Sequence, residues 1–280
     1  MTSAPRFLVT RSPTKAQALV GELLTLLPDA KVDCAPLQQA VYLAPQEIEP
    51  ADFAAAWVTF SSANGVAGLA CWAESRGTTL VRLLAPAKVA SVGSATADAL
   101  ARHGVAVDFQ PSVSDAAHLA RELPLAETKT VVSILGATAR PHLVRDLRAR
   151  GAQVATAVVY DMADYPADSP LVAEEQPAGT VALSLEEARR HLTDYTAIAA
   201  TAPSLLKKLV AGLPPHTLPP VVAIGATTAA TARELGLRVG VSASPGPGDL
   251  ARALYEQLRS PSAEGPLPGQ PPSNARPDAS

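Results

Sequence analysis

Short turns rich in Ser, Thr and Gly are the parts of this sequence that could do chemistry. Six of them follow apolar runs and precede helical patterns, namely Thr10-Arg11-Ser12, Ser61-Ser62-Ala63-Asn64, Gly93-Ser94-Ala95-Thr96, Gly136-Ala137-Thr138-Ala139-Arg140, Thr201-Ala202-Pro203-Ser204 and Gly225-Ala226-Thr227-Thr228. Free backbone N–H groups and hydroxyls at a helix N-terminus bind anionic oxygens. Each turn alone could equally cap its helix, because Ser and Thr favour that position. Together the six turns predict a cleft for a ligand with many anionic groups.

Other catalytic motifs are missing. The sequence has no His-Glu-x-x-His, no Gly-Lys-[Ser/Thr] phosphate loop and no Gly-x-Ser-x-Gly elbow. The stretch 246–251 fits a dinucleotide-binding pattern but lacks the following strand and acidic residue, so a loop that caps the last helix is the better interpretation. Cys34 and Cys71 lack metal-ligand spacing, and the five histidines are scattered, with His142 alone at a strand-to-helix turn. The sequence therefore shows no motif typical of a metal site or of nucleotide binding.

An internal duplication reveals how the turns are positioned. The stretch 89–105 recurs at 221–237 without a gap. The equivalent residues share one offset of 132, and they are Gly93 and Gly225, Thr96 and Thr228, and Gly104 and Gly236. Two further units also pair, 56–64 with 196–204 and, more loosely, 7–37 with 131–160. With the units named C, A and B in chain order, the sequence reads C-A-B-C-A-B.

This order predicts the domain organisation. Each unit is a short β-branched run, a turn and an amphipathic helix, which is typical of parallel α/β sheets. The sequence therefore predicts two parallel-sheet domains of flavodoxin/Rossmann-like type, one inserted in the other and joined by a two-stranded linker. The discontinuous domain comprises 1–37 and 167–259, and the inserted domain comprises 41–161. We expect the Pro/Ser-rich tail 260–280 to be disordered, because it holds almost no residue that could be buried.

Composition narrows the class of partner. A net charge of −3 and a pI near 6.0 argue against a nucleic-acid surface, which needs a basic face. No apolar run is long enough to span a membrane, and the N-terminus shows no signal-peptide pattern. We therefore expect a cytoplasmic protein that binds neither nucleic acid nor membrane.

The motifs taken together resemble the uroporphyrinogen-III synthase family over roughly residues 6–258. The resemblance rests on Thr10-Arg11 after the first strand, the turn 59–64, the twin segments 92–97 and 224–229, and the strand that ends at Tyr160. This chain departs from the family's pattern at Ser61-Ser62, where Thr-Ser is usual, and at Ala202, where a serine normally follows the threonine.

The resemblance implies a cofactor-free lyase. Its substrate would be the linear tetrapyrrole hydroxymethylbilane, which loses water and is cyclised with its terminal (D) ring inverted, as a step of haem biosynthesis. The eight carboxylates of this substrate agree with the ring of donor turns. We expect a monomer that makes transient contact with the bilane-producing enzyme.

The resemblance also implies residue roles. Tyr160 matches the functional tyrosine of the family and would donate a proton or hydrogen bond to the departing hydroxyl, although a tyrosine at a strand end often only packs its ring. The predicted substrate-binding residues are Thr10, Arg11, Ser61, Ser62, Asn64, Ser94, Thr96, Gly136, Arg140, Thr201, Ser204, Thr227 and Thr228. Two rival functions share a two-domain α/β architecture: a small-ligand binding protein and a nucleotide-sugar transferase. The first would normally carry a signal peptide, and the second a longer chain with acidic or His residues in its turns.

Overall fold

The computed structural model describes residues 4–173 and 181–259, so the predicted disorder of 260–280 lies outside the described residues. The strands of the described residues are β1 Arg6–Val9, β2 Lys31–Cys34, β3 Gln38–Tyr42, β4 Trp57–Phe60, β5 Lys88–Ser91, β6 Thr130–Gly136, β7 Gln153–Asp164, β8 Ala197–Ala200, β9 Val221–Ala223 and β10 Val239–Val241. The α-helices are α1 Pro13–Leu26, α2 Ala63–Ser75, α3 Leu80–Leu84, α4 Ser94–Arg102, α5 Ala116–Glu122, α6 His142–Ala149, α7 Leu185–Arg190, α8 Pro203–Val210, α9 Ala226–Glu234 and α10 Pro247–Arg259. None of these helices is long and apolar enough to cross a membrane.

Two five-stranded sheets contain these strands. The first sheet has the order β10-β9-β8-β1-β2, and its neighbouring strands are parallel. The second has the order β3-β7-β6-β4-β5, in which β3 alone is antiparallel to its neighbour. The predicted α/β class with two mostly parallel sheets is confirmed. The first sheet joins both ends of the chain, because β1 pairs with β8 from the second half of the sequence.

By contacts between residues, the chain divides into two compact units. One contains residues up to 10, 15–34 and those from 189 onward, and the other contains 11–14 and 35–188. The domain boundaries derived from the sequence stay a prediction.

The duplicated segments share their local geometry. Helices α4 and α9 each have nine residues, and each begins directly after an extended glycine, Gly93 or Gly225. Shortly after each helix a glycine adopts a left-handed φ, 74° at Gly104 and 72° at Gly236. A side chain would be strained there, so glycine is the residue that ends such helices at least cost.

Helices α1 and α10 pack on one face of the first sheet. Phe7, Leu19, Leu23 and Leu254 are buried in this core, and burying each contributes about 1.5–3 kcal/mol to stability. The buried face of α1 includes Leu19 and Leu23 but not Leu24, which is 38% exposed. This packing holds the carboxyl end of β1 in place.

The second sheet is covered on both faces. Phe60, Leu69 and Val159 belong to the core beneath α2, α3 and α4, whereas Leu119 and Leu147 belong to the core beneath α5 and α6. Burial on both faces is characteristic of parallel sheets joined by helices. The strand β3 pairs with the second half of β7, from Gln38 opposite Asp164 to Tyr42 opposite Tyr160.

Candidate functional site

The six turns lie at the carboxyl edges of the two sheets, three at each edge. In the second sheet they follow β4, β5 and β6, and in the first they follow β1, β8 and β9. Because these strands are parallel and adjacent within each sheet, the loops at their carboxyl ends are neighbours. Open α/β sheets bind ligands at this edge.

Tyr160 lies within β7, beside the end of β6. It pairs with Gly136, and the register between the two strands shifts between Leu135 and Gly136. The Tyr160 carbonyl accepts a 2.9 Å hydrogen bond from the Ala137 N–H, and its half-buried side chain packs against the core beneath α2. Register irregularities of this kind re-aim side chains and are common beside active sites.

The ring of Tyr160 lies directly over Gly136. A Cβ added at Gly136 would stand 2.5 Å from Tyr160 Cζ and 2.8 Å from Tyr160 Oη. An alanine here would force the phenol ring to move, so glycine leaves the room that the ring occupies. Gly136 stays a predicted substrate-binding residue.

Ser62 reaches Tyr160 from the loop after β4, which lies on the other side of β6 from β7. Its Oγ caps α2 by accepting a 3.1 Å hydrogen bond from the Gly65 N–H, and it lies 3.1 Å from Tyr160 Oη. The capping alternative is therefore correct for Ser62, and the same oxygen also contacts the proposed donor.

Helix α2 lies close to β7 at Gly68. An added Cβ there would stand 2.6 Å from the carbonyl oxygen of Val159 and 2.8 Å from its Cγ2, so glycine lets the helix backbone lie against this residue. Sequence analysis missed Gly68. Its signal was present, because glycine inside a helical pattern indicates close backbone packing.

The remaining predicted residues of this edge are more accessible. Ser61 and Arg140 are exposed, and Asn64 is half-buried. Arg140 forms no ion pair with any residue that the structure describes. Arg140 belongs to the turn that begins at Gly136 and supplies its positive charge. His142 is the first residue of α6 and is exposed.

Thr96 and Thr228 occupy equivalent places in the first turns of α4 and α9. They are 5% and 3% exposed, and the described part of the chain offers neither hydroxyl a hydrogen-bond partner. Neither caps its helix, since the N-cap positions belong to Gly93 and Gly225. This excludes the capping alternative for both threonines. The preceding predicted residues, Ser94 and Thr227, are exposed.

Thr10 and Thr201 form hydrogen bonds with each other at the edge of the first sheet. Thr10 Oγ1 accepts a 3.0 Å bond from the Thr201 N–H, and Thr201 Oγ1 donates a 2.9 Å bond to the Thr10 carbonyl. Thr10 is fully buried and also donates to the Ala199 carbonyl. Its hydroxyl joins β1 to β8, and contact of Thr10 with a ligand stays a prediction.

Arg11 follows Thr10 and is half-buried. Burial lowers the pKa of its guanidinium below the ordinary value, because desolvation disfavours the charged form. Among the described residues it has no ion-pair partner. Ser204 is exposed in the first turn of α8. An anionic group beside Arg11 would offset the cost of burying its charge.

The described residues contain no set of side chains arranged as metal ligands. Among residues 4–173 and 181–259, no group of three His, Cys, Asp or Glu side chains is arranged to hold a metal ion. What the arrangement offers is hydroxyls, backbone N–H groups and two arginines.

Comparison of the fold shows two similar solved structures. Uroporphyrinogen-III synthetase from Helicobacter pylori 26695 is 17% identical with a TM-score of 0.57, covering 91% of this chain and 100% of that one. A mutant uroporphyrinogen III synthase from the extremely thermophilic bacterium Thermus thermophilus is 17% identical with a TM-score of 0.56, covering 91% and 99%. At this identity the similarity shows the fold alone.

Sequence comparison gives the family. The "Porphyrin biosynthesis protein HemD" of Ruminiclostridium josui is 30% identical over 151 residues, which are 51% of this chain and 29% of that protein. This chain thus spans less than a third of the length of that relative. A family model described as "Uroporphyrinogen-III synthase HemD" matches residues 28–252. Because that match covers most of the sequence, from just before β2 into α10, the chain belongs to the uroporphyrinogen-III synthase family.

Proposed function

We propose that this chain converts hydroxymethylbilane to uroporphyrinogen III, with loss of water and inversion of the D ring. Within a member of this family, the observation that carries the proposal is the contact of Tyr160 with Ser62 over Gly136, at a sheet edge with unpartnered donors. Haem biosynthesis is the pathway in which such an enzyme serves.

The reaction requires little from side chains. A hydroxymethylpyrrole loses its hydroxyl readily, because the ring nitrogen stabilises the resulting cation. The departing water carries the hydroxyl oxygen, its hydrogen and one added proton; ring closure later releases one proton, so the protein is restored. In solution the chain closes without inversion. The catalytic task is therefore to hold the chain so that the substituted carbon of the last pyrrole ring attacks the cation before simple closure occurs.

Tyr160 is the proposed donor to the departing hydroxyl. A phenol donates a hydrogen bond and, unlike a carboxylate, adds no negative charge beside a substrate with eight carboxylates. A positioned general acid contributes about 10²–10⁴ to a rate, and we expect the lower end because the leaving group is already activated.

The carboxylates would be bound by short-range donors. In one unit the first turns of α2 and α4 present backbone N–H groups, and in the other unit the first turn of α9 does so. Each unit also has a threonine, Thr96 or Thr228, whose hydroxyl has no partner among the described residues. Arg11 and Arg140 supply positive charge. A net charge of −3 cannot attract an anion from a distance, since salt screens fields beyond about 8 Å.

The cysteines support a reducing compartment. Cys34 and Cys71 are both free, and Cys34 is buried. We propose a cytoplasmic enzyme that takes its short-lived substrate by transient contact with the bilane-producing enzyme.

The deciding experiment couples this protein to a bilane-producing enzyme and separates the two uroporphyrin isomers after oxidation. The inverted isomer should dominate with wild-type protein. Tyr160→Phe should lower kcat about 10- to 10³-fold with little change in melting temperature, because it removes only a hydroxyl. If the non-inverted isomer alone formed at high protein concentration, the proposed activity would be refuted. A melting-temperature shift with nucleotides but not with bilane would favour the transferase.

A further inference from the structure

The hydroxyls of Ser62 and Tyr160 form a hydrogen bond whose direction decides where the phenolic hydrogen points. A serine hydroxyl has one hydrogen and two acceptor lone pairs. One lone pair is used by the Gly65 N–H at 3.1 Å, and the hydroxyl lies 3.1 Å from Tyr160 Oη. Either hydroxyl could donate across that contact, and the two directions leave the phenolic hydrogen in different places.

The helix favours one of them. Ser62 sits at the N-terminus of α2, the positive end of a 13-residue helix dipole. A field of this sign favours hydrogens that point away from the helix. Accepting a bond from Gly65 also strengthens Ser62 as a donor, because consecutive hydrogen bonds polarise one another. The favoured chain runs from Gly65 N–H to Ser62 O–H and then to Tyr160 O–H.

We propose that Ser62 is a positioning residue that donates its hydroxyl hydrogen to Tyr160 Oη and so turns the phenolic hydrogen outward, toward the ligand. The inference rests on the proposed function in that the ligand atom is the departing hydroxyl of the bilane. It differs from the sequence-based prediction, in which Ser62 binds substrate directly. Gly136 leaves room for the phenol ring, and Gly68 lets α2 lie close to Val159 of β7.

Direct binding and positioning differ in their kinetics. A serine that holds a carboxylate contributes to KM, whereas a serine that orients the donor contributes to kcat and only when the phenol is present. The helix cap complicates a simple alanine variant, because alanine also removes capping. Ser62→Gly keeps most of the capping stability and lacks the hydroxyl. Ser62→Thr keeps both.

We expect Ser62→Ala and Ser62→Gly to lower kcat about tenfold with KM within about twofold, the effect of losing one hydrogen bond in the transition state. Ser62→Thr should restore kcat. In a Tyr160→Phe background, Ser62→Ala should add no further loss. Thr79→Ala removes another N-cap of the same unit, at α3, and should leave kcat unchanged.

A second readout needs no substrate. The chain has five tyrosines, and the ¹³Cζ resonance of Tyr160 in labelled protein is assigned by its loss in Tyr160→Phe. Ser62→Gly should shift that resonance, and Ser62→Thr should leave it near its original position. An unmoved resonance, or equal kcat losses with and without the phenol, would overturn the inference. If wild-type protein formed no inverted isomer, the proposed function would fail while the resonance still decided the hydrogen bond.

Discussion

Gly136→Ala tests whether the position of the phenol matters to turnover. The added methyl would stand 2.5 Å from Tyr160 Cζ, whereas carbon atoms in contact lie about 3.5 Å apart. The ring must therefore move by roughly 1 Å. The hydrogen bond to Ser62, now 3.1 Å, does not survive a shift of that size with useful strength.

A misplacement of about 1 Å can cost about 10²-fold in rate, so we expect kcat to fall by that order. Overpacking should also lower the free energy of unfolding by about 1–3 kcal/mol. The coupled isomer assay measures the first effect and urea unfolding the second. Native circular dichroism at the assay temperature would show that the variant remains folded.

A matched control is Gly21→Ala in the middle of α1. A Cβ there meets no atom within 4 Å, and alanine favours helix over glycine by about 0.5–1 kcal/mol. This variant should be more stable than wild type with unchanged kcat. Wild-type kcat in folded Gly136→Ala would refute the view that a fixed phenol is required.

Three further predictions follow from the described contacts. Thr96→Val and Thr228→Val should raise KM without lowering the melting temperature, because their hydroxyls cap nothing; a clear loss of stability would contradict this. Thr201→Val should cost about 1–3 kcal/mol in urea unfolding, because the Thr10 carbonyl loses the hydrogen bond from the Thr201 hydroxyl. Burial raises the pKa of the Cys34 thiol to about 11, so the folded protein keeps this proton between about pH 9 and 11 while the unfolded chain loses it. Stability should therefore fall by about 2–3 kcal/mol as pH rises through that range, and Cys34→Ala should flatten this dependence in denaturant titrations.

Local features of the fold could be predicted from the sequence. The helices after Gly93 and Gly225 and the left-handed glycines 104 and 236 depend on residues within one turn, so the repeated sequence produced repeated geometry. The order of the repeated units predicted a discontinuous and an inserted domain. Those boundaries stay a prediction, although β1 does pair with β8 from the second half of the chain.

The roles of single hydroxyls could not be predicted in this way. Ser and Thr at helix N-termini are alike in sequence, yet Ser62 caps its helix and Thr96 does not. The difference lies in which residue takes the N-cap conformation. A glycine one residue before the helix leaves the threonine hydroxyl in α4 without a capping role.

Short-range patterns were enough to establish the sheet class, the repeated helices and the family motifs. Which distant groups meet became visible only in the folded chain. Ser62 and Tyr160 are 98 residues apart in sequence, and Thr10 and Thr201 are 191 apart. Their contacts exist because parallel strands bring remote carboxyl ends to one edge, and because Gly68 and Gly136 let backbone and ring approach where any side chain would hold them apart.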